Sequence, residues 1–219
     1  EGEEESGSRH FAALLEERRD RLDCDVVVVS DTGMAAPDVP SAVVSLRGLA
    51  GVEITLRGPE VDLHSGSFGG AVPNPLHAMA TLLASLHDEQ GRVTLPGFYD
   101  KVRPLGDRER ELMTRLPFDE QAWLAGPAAG SAAYGEAGFS TLERTGARPT
   151  AEVNGMWGGY QGPGHKTIIP AEAHAKITFR LVADQRPADL ADQVRGWVAA
   201  NLPAGIQADV HVPAGGVSP

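Results

Sequence analysis

Val52, Ile54 and Leu56 alternate with Glu53, Thr55 and Arg57, and this period of two constrains the fold more than any other stretch of the chain. Such alternation belongs to an antiparallel strand with one face on a core and the other in water. A Gly-rich loop from Ser65 to Gly70 follows, then Pro73 and Pro75, and then Leu76, Met79, Ala80, Leu83 and Leu86 mark an amphipathic helix in which Met79 is core filler. Ala151 to Met156 predicts a second strand, and His174 to Val182 alternates as a third. Pro187 opens a second helix with Leu190, Val194, Trp197 and Val198 on one face, and Ile206 to Val212 is a short last strand. Strand, helix, strand, strand, helix, strand is the split βαβ order of a ferredoxin-like α+β domain, a four-stranded antiparallel sheet with two helices. Residues from about 93 to 149 read as a long insertion after the first helix, with helical fragments such as Arg108 to Leu116 among Gly- and Ala-rich pieces. The order by itself carries no chemistry.

Upstream the texture differs. Ser8 can cap a helix whose apolar face is Phe11, Leu14, Leu15 and Leu22. It leads into Val26-Val27-Val28-Val29, an unbroken branched run of the kind buried on both faces of a parallel sheet. Asp31 stands where that strand would end, the edge at which open α/β sheets bind ligands; it reads either as a site residue or as a turn residue before Thr32-Gly33. Met34 to Arg47 is a connector broken by Pro37 and Pro40. The chain opens on Glu1 without an initiator Met or a signal peptide, as a piece cut from a longer polypeptide would.

Composition removes some function classes. A formal charge of −11 without a basic run repels a phosphate backbone, so nucleic acid is not an expected partner. No stretch is apolar for the length a membrane span needs. A single cysteine, Cys24, precludes an internal disulfide framework and favours a cytoplasmic protein.

Five motifs then occur in one order: Glu4-Glu5-Ser6-Gly7-Ser8, Val29-Ser30-Asp31, Asp62-Leu63-His64-Ser65-Gly66, Gly164-His165-Lys166-Thr167-Ile168-Ile169-Pro170 and Phe179-Arg180-Leu181. Together they resemble the dizinc metallopeptidase family of cytosolic dipeptidase, carnosinase, carboxypeptidase G, acetylornithine deacetylase and succinyl-diaminopimelate desuccinylase. Leu95-Pro96-Gly97-Phe98-Tyr99 and Asn154-Gly155-Met156-Trp157-Gly158-Gly159 point to the dipeptidase branch. The resemblance implies that residues 1–46 are a remnant of the α/β catalytic domain with its connector. By the same resemblance, 47–213 are the lid, or dimerisation, domain, and 214–219 begin the return to the catalytic domain.

It also implies roles. Two divalent metals, zinc with manganese or cobalt open, would polarise an amide and activate a bridging water in the full-length parent. Glu4 takes the place of the general base, Glu5 of a ligand to one metal and Asp31 of a ligand to the other. His64 matches a lid histidine that crosses a dimer to donate a hydrogen bond to the scissile carbonyl oxygen. Arg180 matches an arginine for the substrate carboxylate, against the plainer reading of a surface ion pair, and Thr167 matches a substrate-holding position. The other histidines, His10, His77, His87, His165, His174 and His211, read as structural. The family's remaining metal ligands have no counterpart in these residues, so the 219 residues alone are expected neither to hold metal stably nor to hydrolyse short peptides. A dimerisation module without catalysis is the second reading. A free-standing ferredoxin-like or RNA-binding domain is the third, disfavoured by acidity and by a predicted sheet without exposed aromatics.

Overall fold

The computed structural model describes residues 8–28, 33–34, 36–41, 43–126, 128–213 and 215–219, and the chain divides into two compact units, 1–41 and 42–219. In the first unit, helix α1 (Phe11–Glu17) starts with His10 rather than Ser8 at its amino end, and the Ser8 carbonyl accepts from the Phe11 amide at 3.0 Å. A single turn, α2 (Arg19–Leu22), follows. Neither helix buries a side chain, and the expected apolar face of Phe11, Leu14, Leu15 and Leu22 lies open. The predicted valine strand is not formed over its described residues: Val26, Val27 and Val28 are 73%, 77% and 83% exposed. A branched run becomes a doubly buried strand only between flanking strands, and the described part of this unit supplies none.

The second unit begins with β1 (Gly48–Arg57), β2 (Leu63–His64), α3 (Ser65–Phe68) and α4 (Pro75–Ala84). It continues through α5 (Asp107–Thr114), α6 (Glu120–Ala125) and α7 (Thr141–Gly146) to β3 (Thr150–Gly158), β4 (Ile168–Ile169), β5 (Glu172–Leu181), α8 (Pro187–Asn201) and β6 (Gln207–His211). The sheet order is β3-β5-β1-β6, every pair antiparallel, which is the ferredoxin-like arrangement. Alternation becomes burial as the sequence predicts: Ala50, Val52, Ile54 and Leu56 point inward from β1, facing Ala173, Ala175, Ile177 and Phe179 of β5 within one core. Val52 pairs with Ile177 and Leu49 with Arg180, so the register is fixed by matching apolar faces.

Helices α4 and α8 cover that inner face. Asn74 caps α4 through Oδ1, which accepts from the Leu76 amide at 2.9 Å, and Pro75 occupies its first turn. The helix buries Ala78, Met79 and Leu82 and leaves Ala80 outside, so its core face is rotated from the predicted one. Leu56, Met79, Leu82, Phe179 and Val194 are completely buried, each stabilising the fold by about 1.5–3 kcal/mol.

The segment predicted as an insertion does not hang free. Val93, Leu95 and Phe98 are drawn into the same core, and the Phe98 carbonyl accepts from Gln185 Nε2 at 2.7 Å. Further on, Arg148 forms a buried two-pronged pair with Glu136, at 2.7 and 2.8 Å. Trp157 corrects the expectation of an open sheet face without exposed aromatics. It is 40% exposed and stacked on His174, 5.1 Å between ring centres, so acidity alone argues against nucleic acid.

Candidate functional site

His64 lies on a two-residue ribbon made by β2 and β4, in which Leu63 pairs with Ile169 and His64 with Ile168. The ribbon is pinned at its base by Asp62, whose Oδ1 accepts from the Ala171 amide at 2.9 Å, and at its tip by the Ser65 amide donating to the Thr167 carbonyl at 2.9 Å. His64 Nδ1 accepts from the Gly66 amide at 3.0 Å. In that arrangement the neutral ring carries its proton on Nε2, which faces Thr167 Oγ1 at 3.3 Å. Both side chains are exposed. The ribbon therefore presents an imidazole N–H beside a hydroxyl to whatever approaches, the donor chemistry that stabilises charge growing on a carbonyl oxygen.

Arg180 is elsewhere. It lies one residue from the end of β5, whereas His64 and Thr167 lie beyond that strand's other end. At about 3.4 Å per residue, the run from Glu172 to Arg180 separates the two places by about 27 Å. The arginine is exposed, and among the described residues no carboxylate is within ion-pair distance of it. It borders a cavity of about 340 Å³ shared with Arg47, His87, Tyr134 and Glu152. Burial holds the His87 imidazole below its ordinary range, against the smaller opposing pull of Glu152 and Asp88. Burial, and secondarily the Arg180 charge, lowers the Arg47 guanidinium from its usual value.

Glu4, Glu5 and Asp31 lie outside the described residues. Among the described residues no three His, Cys, Asp or Glu side chains gather to hold a metal ion. Likewise among the described residues, no helix is long and apolar enough to cross a membrane.

The model of the M20 peptidase dimerisation domain matches residues 44–206. The chain belongs to that family. As an M20 dimerisation domain it is 31% identical over 196 residues to the Cys-Gly metallodipeptidase DUG1 of Candida albicans, a match covering 89% of this chain and 40% of the relative. It superposes on the di-peptidase Dug1p of Saccharomyces cerevisiae with a TM-score of 0.79 at 28% identity, covering 97% of this chain and 45% of that one. Human carnosine dipeptidase 1 gives 0.78 at 26% identity, covering 100% and 46%. The M20 chain thus spans less than half the length of these relatives, which are dipeptidases by name.

Within the M20 domain the sequence brings together His64 and Thr167, which the ribbon does place side by side, and leaves Arg180 apart from both. Arg47, His87 and Glu152, neighbours of Arg180 around its cavity, carry no local motif that could have flagged them. For Arg47 the signal is the register of β1 on β5, which sets Leu49 opposite Arg180 and so brings Arg47, two residues earlier, near it.

Proposed function

We propose that this M20 chain is the lid-bearing part of a metal-dependent hydrolase that cleaves the amide bond of short peptides, and that two copies share each active site. The domain boundaries in this reading are 1–46 for the catalytic-domain remnant and connector, 47–213 for the lid, and 214–219 for the return. Glu4 serves as general base, and Glu5 and Asp31 as ligands to two divalent ions, zinc by preference. His64 donates to the scissile carbonyl, Thr167 helps hold substrate and Arg180 holds its carboxylate. The enzyme works in the cytoplasm, and the 219 residues alone are inactive for want of the remaining metal ligands.

The observation that carries this reading is the separation of His64 and Thr167, on a ribbon beyond one end of β5, from Arg180 near that strand's other end. One copy cannot bring them to one substrate the size of a dipeptide. Strand β3 is an edge, and its core-side residues Val153 and Met156 are 42% and 50% exposed on the sheet face that α4 covers further in. Leu76, Ala80 and Leu83 follow one another at helical spacing on that helix. Pairing β3 with β3 of a second copy about a two-fold axis continues the sheet and reverses the second copy end for end. The His64 end of one copy then meets the Arg180 end of the other.

The test is complementation in the full-length parent. His64→Ala and Arg180→Gln are each inactive as homodimers. Mixed and re-associated at equal amounts, they regain about a quarter of wild-type turnover, because half the dimers are mixed and each mixed dimer has one intact site. No recovery from mixed dimers that demonstrably form would refute the shared site and leave the chain a dimerisation module.

A further inference from the structure

We infer that Arg47 joins Arg180 in a two-guanidinium site for the carboxylate of the substrate, and that the backbone of the segment between α4 and β3 holds Arg47 in place. The inference rests on the reading of Arg180 as the carboxylate-binding residue and extends it to a second residue and to the inserted segment.

The register supplies the juxtaposition. Leu49 is opposite Arg180 and Gly48 opposite Leu181, so Arg47 enters the sheet beside the strand end that carries Arg180. Both side chains line the same cavity of about 340 Å³, a volume within the range of small-ligand sites. Arg47 is half-buried, and a single terminal nitrogen, Nη1, donates to two carbonyls, those of Arg144 at 3.4 Å and Arg148 at 3.3 Å. Among the described residues its other nitrogens have no partner, which leaves one edge of the fork free.

The surrounding charges are already spent, with one exception. Glu136 is held by both prongs of Arg148 and also by Arg92 at 3.4 Å. Arg144 turns its guanidinium to the carbonyls of Glu136 and Tyr134, at 2.9 and 3.2 Å. Glu152 borders the cavity but lies beyond ion-pair distance from both Arg47 and Arg180. Two guanidiniums thus border one space with no carboxylate paired to either among the described residues, an arrangement that costs Coulomb energy when empty and is relieved when one anion takes a hydrogen bond from each. A carboxylate has two oxygens and fits this demand better than a neutral group.

The inserted segment acquires a role by the same geometry. It provides the carbonyls of Arg144 and Arg148 that aim Arg47, and the buried Glu136–Arg148 pair keeps those carbonyls where they are. Arg47 is therefore both a ligand-binding residue and the point at which the insertion acts on the site.

The experiment is an NMR titration of the 219-residue chain with N-acetylglycine, observing arginine Nε–Hε signals, with N-acetylglycinamide as the uncharged control. The Arg47 and Arg180 signals are expected to move together with one midpoint, to ignore the amide, and to leave Arg103 unmoved. Arg47→Gln and Arg180→Gln are each expected to weaken binding about tenfold, the loss of one charge-assisted bond. If Arg47→Gln does not fold by circular dichroism, Arg47→Lys keeps the charge without the fork and is expected to weaken binding severalfold. Movement of Arg180 alone, with Arg47→Gln binding as wild type, overturns this inference and leaves the Arg180 reading standing. Movement of neither overturns both, and movement of Arg47 alone overturns the pair.

Discussion

His64 Nε2 stands 3.3 Å from Thr167 Oγ1 because the opposite ring nitrogen is tied to the Gly66 amide at 3.0 Å. Two side chains 103 positions apart thereby meet in an orientation that the Gly66 amide, in the short turn after the histidine, sets. The turn fixes which nitrogen donates, and so what the exposed ring can do.

Gly66 is the sensitive position in that turn. A Cβ added there would lie 2.7 Å from His64 Cε1 and 3.1 Å from Nδ1. The ring is exposed and can swing, so Gly66→Ala is expected to change stability by no more than about 0.5 kcal/mol. In the full-length parent the same change should lower kcat by about 10²-fold, as loss of an oxyanion donor does, with a smaller effect on KM. Thermal melting and steady-state kinetics check the two halves. Full turnover in Gly66→Ala would show that ring orientation is immaterial.

The β3 edge makes a separate prediction. Met156 is half exposed on the core side of an edge strand, so Met156→Lys removes little from the fold but places a charge where a second copy would dock. The variant should elute and sediment as a monomer at concentrations where wild type is a dimer, with an unchanged circular dichroism spectrum. A Met156→Lys dimer of undiminished affinity would move the interface elsewhere.

The parts of this picture differ in how far the sequence announces them. Val52, Ile54 and Leu56 announce their burial because period two leaves one face to choose. Helix α4 is ambiguous because it has two apolar stripes: Ala78, Met79 and Leu82 are buried in the core, whereas Ala80 is exposed and Leu83 only half-buried. The valine run misleads because its neighbours, not its composition, decide whether it is a strand. His64 and Thr167 are legible as a pair only through the motifs that carry the family resemblance, since the bonds joining them span most of the lid. Arg47 is silent in sequence, its meaning arising wholly from register.

Glu136 tests the inserted segment. It and Arg148 are 5% and 7% exposed and fully engaged with one another. Glu136→Gln leaves a buried guanidinium without its counter-charge, which costs about 3–5 kcal/mol. Urea unfolding should show a lowered midpoint of that size at unchanged slope. Glu136→Gln together with Arg148→Met should recover part of the loss, because the orphaned charge is then gone; failure of the double variant to recover any would assign the pair a role other than neutralising each other.

His87 links the cavity to pH. Burial disfavours its charged form, and Glu152 and Asp88 only partly offset this, so its folded pKa lies below its unfolded value of about 6.5. Above the unfolded value both states hold a neutral ring and His87 contributes no pH dependence. As pH falls below about 6.5 the unfolded chain takes up a proton that the folded chain refuses, so the unfolded state is favoured until the folded pKa is also passed. Wild type should therefore lose stability between pH 7 and pH 5 more steeply than His87→Asn, whose acid limb lacks that proton. Chemical denaturation of both proteins at half-unit steps gives the comparison, and parallel limbs would mean that the imidazole is as free to protonate folded as unfolded.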